Sequence, residues 1–289
     1  MERIELQANA KINLTLDVLR KREDGYHELK MIMQTVSLFD NISIQKTAEN
    51  LRLKTNLRYL PTDKRNIAYA AAELFLEKSG IKSGLDINIK KTIPVAAGLA
   101  GGSTDAATVL VGLNRLFDKV FSEKELLEMG AMLGSDVPFC IKGGCALCEG
   151  RGEILTPLPN LPTTTFLIIK PPVRVSTAAV YGNLRADKIA ERPDTQGAID
   201  AIGHGDSEAV AVRMFNVLET VTAKEHPEIE LIKREMIENG AIGSVMSGSG
   251  PTVIGLFTDE NLANQAKIAM RKPRREIFVA HTLPANADI

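Results

Sequence analysis

The chain has 289 residues, 44% of them apolar and 25% charged, a composition that excludes a disordered tail protein. The 35 Lys and Arg residues nearly balance the 36 Asp and Glu residues, and the net charge of −1 argues against nucleic acid or an anionic membrane as a partner. A local basic pocket for a small phosphorylated ligand remains open, whereas aromatic stacking platforms for single strands are not expected because Trp is absent and aromatics are only 4%.

The N-terminal half alternates between strand and helix patterns. Five segments read as strands, namely Ile4–Leu6, Ile12–Leu19, Met31–Leu38, Ile42–Lys46 and Leu85–Ile89. Three segments have helical spacing, namely Asn66–Ser79, Thr104–Phe117 and Ser122–Leu133. Gly80 is the expected C-cap of the first helix, and Ser122 with Glu125 predicts a capping box at the start of the third.

The composition changes at residues 156–165, where three prolines and four threonines indicate a turn-rich linker. We therefore predict a domain over residues 1–155 and a second over residues 156–289. The second half contains three predicted strands (Phe166–Lys170, Thr252–Phe257, Glu276–Thr282) and two predicted helices (His226–Glu238, Glu260–Lys272). Strands and helices without regular alternation predict an α+β fold.

The chain carries three cysteines, an odd number that argues against a disulfide framework. Cys145 and Cys148 form a C-x-x-C pair, but no second pair or histidine lies nearby to complete a zinc site. The surrounding pattern is that of a strand, which would point the two sulfurs to opposite faces, so we expect Cys140, Cys145 and Cys148 to be buried thiols. The first fifteen residues carry several charges and lack a signal-peptide core, which favours a cytoplasmic protein.

The segment Pro94–Asp105 (PVAAGLAGGSTD) lies between a predicted strand and a predicted helix. Its glycines let the backbone approach an anion, and Ser103 or Thr104 is the expected cap of the helix. Gly101 is the expected point of closest approach, with a positive φ. The segment has neither the Lys of a Walker loop nor the Rossmann spacing, and a plain Gly-rich turn before a helix is the alternative.

Three further segments are candidates for chemistry. A second glycine loop, Ser247–Pro251, joins the strand-like stretches Ala241–Met246 and Thr252–Phe257, where a simple hairpin is the alternative. Strand alternation places Lys11 and Asn13 on one face, although a lone strand Lys is often a solvated edge residue. Asp136 lies in a tight Gly-Ser-Asp-Val-Pro turn, where a turn or cap role is the alternative.

Together these segments resemble the GHMP kinases, small-molecule kinases named for galactose, homoserine, mevalonate and phosphomevalonate. The family's glycine-loop signature is matched by PVAAGLAGGSTDAA and its C-terminal loop by GSVMSGSGPTV, so the resemblance covers residues 8–282. One branch of the family combines A-K-I-N-L, R-x-D-G-Y-H and G-S-D-V-P-F, and all three stand here at residues 10–14, 22–27 and 134–139. This chain departs from many members by having alanines where they have loop glycines.

The resemblance implies a two-domain GHMP kinase fold, with an N-terminal domain like ribosomal S5 domain 2 and a ferredoxin-like C-terminal domain. It also implies that ATP is the phosphoryl donor. Mg²⁺ would be held chiefly by the nucleotide's phosphates, with Ser103 or Thr104 as candidate protein ligands. The implied nucleotide site includes Lys64, Asn66 and Ile67 near adenine, and along the phosphates Pro94, Val95, Ala96, Ala97, Gly98, Leu99, Ala100, Gly101, Gly102, Ser103 and Thr104.

The acceptor implied by this branch is methylerythritol linked to a cytidine diphosphate. Its hydroxyl needs a base, for which we choose Asp136, with Lys11 close enough to keep it ionised and to stabilise charge in transfer. Tyr26 and Tyr181 are expected to stack on the two faces of cytosine, and His27 to bind its edge. Asn13 is expected to bind the diphosphate or the hydroxyls. The alternative for Tyr26 is packing within its turn.

Two other functions remain possible on the sequence. One is another GHMP kinase of the homoserine or mevalonate type, against which the R-x-D-G-Y-H segment argues. The other is a sensor with the same fold that binds ligand without transfer, against which the presence of both Lys11 and Asp136 argues. We expect a small molecule as partner, neither nucleic acid nor membrane, and a monomer or weak homodimer.

Overall fold

The computed structural model describes residues 1–286. Within them the chain forms two sheets and ten α-helices. The strands are β1 Arg3–Lys21, β2 His27–Thr47, β3 Arg52–Thr55, β4 Gly84–Lys90, β5 Cys145–Gly150, β6 Ile154–Leu158, β7 Thr165–Lys170, β8 Phe215–Asn216, β9 Gly243–Met246, β10 Val253–Phe257 and β11 Glu276–His281. The helices are α1 Ile67–Ser79, α2 Gly101–Leu116, α3 Glu123–Leu133, α4 Val137–Lys142, α5 Thr177–Asn183, α6 Thr195–Gly203, α7 Ser207–Ala211, α8 Glu219–Glu225, α9 Glu228–Glu238 and α10 Glu260–Ala269.

The first sheet is built on two long antiparallel strands, β1 and β2. The other edge of β2 pairs with β5 along its first part and with β4 along its last part. β3 continues the sheet beyond β4, β6 forms a hairpin with β5, and the short β8 runs parallel to β1. The second sheet has the order β11-β7-β10-β9, with every neighbouring pair antiparallel.

The cores of the two halves are continuous. Helices α1, α2 and α3 cover the first sheet, where Phe75 and Leu110 pack against Ile44 and Ile87. A second group of buried residues joins the first sheet to the second, among them Leu14, Ile32, Phe166, Ile168 and Ile254. The predicted boundary at residue 155 falls within β6, which pairs in the first sheet.

The α+β class and the two-domain fold are confirmed, and several predicted elements lie where expected. The chain enters α1 with the Asn66 side chain accepting from the Ala68 amide, and Gly80 ends that helix at φ 68°. The capping box of Ser122 and Glu125 is present at the start of α3. The two predicted helices of the second half are each shorter than expected, running over α9 and α10.

The predicted interruptions between the N-terminal strand segments were wrong. The four N-terminal strand segments are two continuous strands, because the polar residues between them pair across the sheet as well as the apolar ones do. Register shifts next to Asn9 and Asn13 show that bulges absorb the interruptions in the pattern. The helix predicted from Thr104 begins three residues earlier, at Gly101, so neither Ser103 nor Thr104 is its cap. Sequence reasoning missed the short helices α4 to α8, which are too short to show a periodicity.

Candidate active site

A cleft of about 1400 Å³ runs between the first sheet, the start of α2 and α5. One end is lined by the glycine loop and the start of α2, and the other by the turn after β1 and by residues of α5. The second glycine loop, Gly248–Gly250, also reaches the cleft. Four sequence-separated candidate segments therefore meet around one cavity.

The glycine loop leads into α2 without a side-chain cap. Ala100 is the N-cap residue at φ 55°, in the left-handed region, and its side chain has no polar atom to occupy the free amides of the first turn. Ala96 and Gly98 also have positive φ, at 52° and 76°. Because the amides stay free and the helix dipole points the same way, this end of the cleft has the features of a phosphate site.

The expected role of Gly101 as a positive-φ position was wrong. Gly101 does not have a positive φ, and a Cβ placed there would face Ile93 and Lys91, at 3.1 and 3.2 Å, inside the protein. The positive φ values fall instead on the loop residues before the helix. Two of those residues are alanines, so the departure from the family's glycines costs backbone strain of about 1–2 kcal/mol per residue.

Only part of the expected phosphate segment reaches the cleft. Ala96, Ala97, Gly98 and residues 100–103 line it. Leu99 is 1% exposed and packs in the core, while its carbonyl accepts from the Lys11 amide at 3.2 Å. Pro94, Val95, Leu99 and Thr104 are not among the lining residues.

The two hydroxyls considered for Mg²⁺ differ in position. The Thr104 hydroxyl donates to the Asn9 carbonyl at 2.7 Å and is 2% exposed, so it is occupied by the fold. Ser103 lines the cleft. Of the two, only Ser103 offers its hydroxyl to the cleft, beside amides that can bind phosphates, which fits a hard ion carried mainly by the phosphates and water of a nucleotide.

The adenine-end candidates lie in three different settings. Ile67, at the start of α1, lines the cleft. The Asn66 side chain is engaged at both ends, donating to the Pro61 carbonyl at 2.9 Å and accepting from the Ala68 amide at 3.0 Å. Lys64 is exposed, and neither it nor Asn66 lines the cleft. Their contacts with a nucleotide stay predictions.

Lys11 and Asp136, far apart in the chain, meet in the centre of the cleft. The Lys11 Nζ lies 3.4 Å from Asp136 Oδ2, and both residues line the cavity. Lys11 is 4% exposed, so it is not the solvated edge residue of the alternative reading. Asp136 precedes α4 without using its carboxylate as a cap, which leaves that carboxylate available to a ligand.

Asn13 lies behind Lys11. Its Oδ1 accepts from Lys11 Nζ at 2.8 Å, its Nδ2 lies 3.3 Å from Met31 Sδ, and it is not a lining residue. The expected common face of Lys11 and Asn13 is therefore present, and the observed contact of Asn13 is with the lysine. This hydrogen bond fixes the direction of the ammonium towards Asp136.

The aromatic candidates lie together at the other end of the cleft. The rings of His27 and Tyr181 are 5.1 Å apart at an interplanar angle of 35°, and Tyr26 lines the same cavity with 53% of its surface exposed. Burial raises the pKa of Tyr181. Burial, and then the charge of Lys21, lowers the pKa of His27, which favours a neutral ring.

The turn that presents Tyr26 and His27 is fixed by its own polar side chains. The Asp24 carboxylate accepts from the Tyr26 amide at 3.0 Å and from Arg22 Nε at 3.1 Å. Gly25 has φ 85°, and the Arg22 amide donates to the Tyr26 carbonyl at 2.8 Å. The R-x-D-G-Y-H pattern is thus a turn sequence whose last two side chains face the cleft.

Sequence reasoning missed three features around the cleft. Ser247 joins the loops, since its hydroxyl donates to the Gly98 carbonyl at 3.0 Å and accepts from the Asn13 amide at 3.2 Å. A buried Lys91 pairs with Asp105 at 2.7 Å and with Asp40 beneath the start of α2. Arg151 lies over the ring of Tyr26. The S-G-S-G-P motif signalled the first of these, whereas no local pattern marks a lysine or arginine as buried or stacked.

Cys145 and Cys148 are buried, as expected, whereas Cys140 is only partly buried. Cys145 and Cys148 belong to different core clusters, which agrees with sulfurs on opposite faces of β5. Burial raises the pKa of the Cys145 thiol to about 12 and also raises that of Cys148, so these thiols are poor nucleophiles. No helix among residues 1–286 is long and apolar enough to span a membrane.

Family profiles agree with the arrangement of the cleft. The N-terminal domain of GHMP kinases matches residues 66–144, and the C-terminal domain of GHMP kinases matches residues 198–275. The chain belongs to the GHMP kinases. The fold is shared with a homoserine kinase from Cytophaga hutchinsonii, whose structure has a TM-score of 0.77 at 21% identity and covers 99% of this chain and 96% of that one.

More similar relatives come from one branch of that family. The 4-diphosphocytidyl-2-C-methyl-D-erythritol kinase of Acetivibrio thermocellus is 49% identical, with 98% of this chain and 100% of that protein covered. The protein of the same name from Lachnoclostridium phytofermentans is 50% identical, with 92% of each covered. A crystal structure of 4-(cytidine 5'-diphospho)-2C-methyl-D-erythritol kinase matches with a TM-score of 0.83 at 33% identity, covering 96% of this chain and 99% of that one.

Proposed function

We propose that this chain transfers the γ-phosphoryl group of ATP to a hydroxyl of 4-diphosphocytidyl-2-C-methyl-D-erythritol, which gives the 2-phosphate and ADP. The reaction belongs to non-mevalonate isoprenoid precursor synthesis. The observation that carries the proposal is the Lys11–Asp136 pair at 3.4 Å, set between a glycine loop with free amides and a turn that presents Tyr26 and His27. The choice of acceptor is supported by two kinases of that name, which are 49% and 50% identical to this chain over nearly its full length.

Asp136 acts as the base. The acceptor hydroxyl is a weak acid, so its proton must pass to a carboxylate as the new bond to phosphorus forms. Lys11, held by Asn13, stabilises the negative charge that develops near the transferred group. The amides at the start of α2 bind the donor's phosphates.

A Mg²⁺ ion carried by the donor's phosphates would take the Ser103 hydroxyl as a ligand, while the free amides of the loop would bind the phosphates themselves. When bound, the ion supplies charge neutralisation at the phosphates. The chain's own residues hold the donor in line with the acceptor and accept the proton. We further propose that the enzyme works in the cytoplasm as a monomer or weak homodimer.

A coupled assay for ADP release tests the proposal. The purified full chain is assayed with ATP and each of three acceptors, the cytidyl compound, homoserine and mevalonate. We expect turnover with the cytidyl compound alone. Turnover with homoserine or mevalonate at a higher kcat/KM would assign the chain to another branch of the family, and ligand binding without turnover would make it a sensor.

A further inference from the structure

The acceptor proposed above carries a diphosphate between its reacting hydroxyl and its cytosine. If the hydroxyl lies at Asp136 and the base at Tyr26, the two negative charges of the diphosphate fall between these residues. A binding cation is needed there, because leaving the charges unpaired within a partly closed cleft is costly. Lys11 is engaged with Asp136 and Asn13 at the reacting end.

The β5–β6 hairpin occupies this intermediate position. Its turn, residues 150–153, contains two glycines with positive φ, 70° at Gly150 and 118° at Gly152. A Cβ on Gly152 would lie 2.8 Å from Met31 Cε and 3.6 Å from the Ser135 carbonyl oxygen. The turn is therefore packed directly beside the segment that carries Asp136.

From this turn Arg151 extends to the other side, towards the aromatic end. Its guanidinium lies 4.9 Å from the centre of the Tyr26 ring, and both residues line the cleft. The Arg151 side chain is 28% exposed, whereas the other arginines and the lysine at this end, Arg20, Lys21 and Arg185, are exposed at the rim. Among the cations that line this end of the cleft, Arg151 is thus the partly buried one, held against Tyr26 on a turn that packs beside the segment of Asp136.

The Arg151 guanidinium has N–H donors that are free to bind a ligand. Its Nε lies 3.5 Å from Glu153 Oε1, a long ion pair, and within the described part of the chain it donates no hydrogen bond. The hydrogen bond between these residues is made by the Arg151 backbone amide, which donates to Glu153 Oε2 at 2.6 Å. A planar fork with free donors, fixed in direction by an aromatic ring, matches the geometry of phosphate oxygens.

We propose that Arg151 binds the diphosphate of the acceptor and so selects for a nucleoside-diphosphate-linked substrate. The proposal rests on the function proposed above. Because Arg151 contacts a part of the substrate that does not react, it contributes equally to the ground state and the transition state. Its loss should raise the KM for the acceptor and leave kcat nearly unchanged.

Binding of CDP and of cytidine to the full chain, measured by calorimetry, tests the proposal. We compare the wild type with Arg151→Ala, Arg151→Lys and Arg20→Ala, the last a control that removes an arginine from the same end of the cleft. We expect Arg151→Ala to weaken CDP binding roughly 10- to 100-fold, because charge-assisted hydrogen bonds to the diphosphate are lost. Cytidine binding should be nearly unchanged. Arg151→Lys should be intermediate, since it keeps the charge without the fork.

The other outcomes would overturn the proposal. Equal losses for CDP and cytidine would mean that Arg151 only supports the Tyr26 ring. Equal losses in Arg151→Ala and Arg20→Ala would mean a general field of positive charge. If the wild type binds neither CDP nor cytidine, the proposed function itself fails. This outcome differs from a failure of the Arg151 proposal, in which the wild type binds CDP and the substitution does not weaken that binding selectively.

Discussion

The Asp136 carboxylate is available for catalysis because the helix that follows it does not use it as a cap. Asp136 stands at the start of α4, a position where an aspartate ordinarily caps the helix, yet its carboxylate makes no cap hydrogen bond. Lys11 is instead its charged neighbour, at 3.4 Å. The sequence suggested the residue types through a motif, whereas the contact depends on the fold that brings β1 beside α4.

Asp136→Asn should lower transfer by about 10²–10⁴-fold, because the amide keeps the shape of the side chain but cannot accept the proton. Binding of the acceptor should be nearly intact. Single-turnover transfer and calorimetric binding of the acceptor together check this. Asp187→Asn, which removes another carboxylate from the cleft lining, is the control and should be within a few-fold of wild type. If Asp136→Asn is equally active, another group is the base.

The ring of Tyr181 packs against the ring of His27, and this contact fixes its orientation in the cleft. If cytosine stacks on it, Tyr181→Ala should raise the KM for the cytidyl acceptor roughly 5- to 150-fold, which corresponds to a stacking contact of about 1–3 kcal/mol. The KM for ATP should hardly change, since the glycine loop is at the other end of the cleft. Tyr181→Phe keeps the ring and should be nearly silent. Equal effects on both substrates would refute stacking at this face.

At the scale of elements, the sequence predicted the types of the long elements better than their ends. The capping box of Ser122 located the start of α3. The start of α1 was predicted one residue too early, at Asn66, which is the cap of that helix. The start of α2 was missed, since an alanine in the left-handed region replaces a capping side chain there. Such a start follows from the loop's contacts with the rest of the fold, which no local pattern contains.

The start of α2 also rests on a buried charge cluster. Lys91 contacts Asp40 and Asp105 and donates to the Gly101 carbonyl at 3.2 Å. One ammonium cannot balance two carboxylates, and Asp105 Oδ1 is buried without a partner among the described residues. Burial, reinforced by the charge of Asp40, raises the pKa of Asp105 to about 7 against the opposing effect of Lys91.

This cluster predicts a pH dependence of stability. Because folding raises the pKa of Asp105 from 3.8 to about 7, the folded protein holds more protons in this interval, and the free energy of unfolding falls as pH rises through it. Asp105→Asn should lack this fall, which amounts to about 1.4 kcal/mol for each unit of pKa shift. Urea unfolding at several pH values between 4 and 8 measures it. Asp86→Asn removes a carboxylate whose Oδ1 is also buried without a partner in the part of the chain that the structure describes, and as the control it should keep the wild-type slope. Parallel curves for the wild type and Asp105→Asn would contradict the prediction.

At the scale of the whole molecule, the sequence predicted two α+β domains but not how closely they are joined. Periodicity shows which face of a strand is buried and not what covers it, so the packing of Leu14 and Ile32 against Phe166 and Ile254 had no local signal. The sequence showed two glycine loops and not that they meet. Their contact is made by Ser247, whose hydroxyl donates to the Gly98 carbonyl at 3.0 Å. Asn216 holds the second loop in place, since its Nδ2 donates to the Met246 and Gly248 carbonyls at 2.7 and 2.8 Å.

Ser247 connects the C-terminal half to the nucleotide end of the cleft, and its loss should affect both stability and ATP binding. It is 0% exposed, and its hydroxyl serves the Gly98 carbonyl and the Asn13 amide. Ser247→Ala leaves these groups without that partner, which should lower the free energy of unfolding by about 1–3 kcal/mol. The KM for ATP should rise because Gly98 lines the phosphate end, while the KM for the acceptor should change less.

Urea unfolding and steady-state kinetics on the full chain check both parts of this prediction. Ser244→Ala is the matched control, since Ser244 lies on the strand that leads to the loop. Within residues 1–286 its hydroxyl contacts only a weak acceptor, Met236 Sδ at 3.4 Å. We expect that control to stay within about 0.5 kcal/mol of wild type. A loss of stability with an unchanged KM for ATP would show that the hydroxyl holds the two halves together without shaping the phosphate site. Unchanged stability in Ser247→Ala would show that the contact between the loops does not hold the halves together.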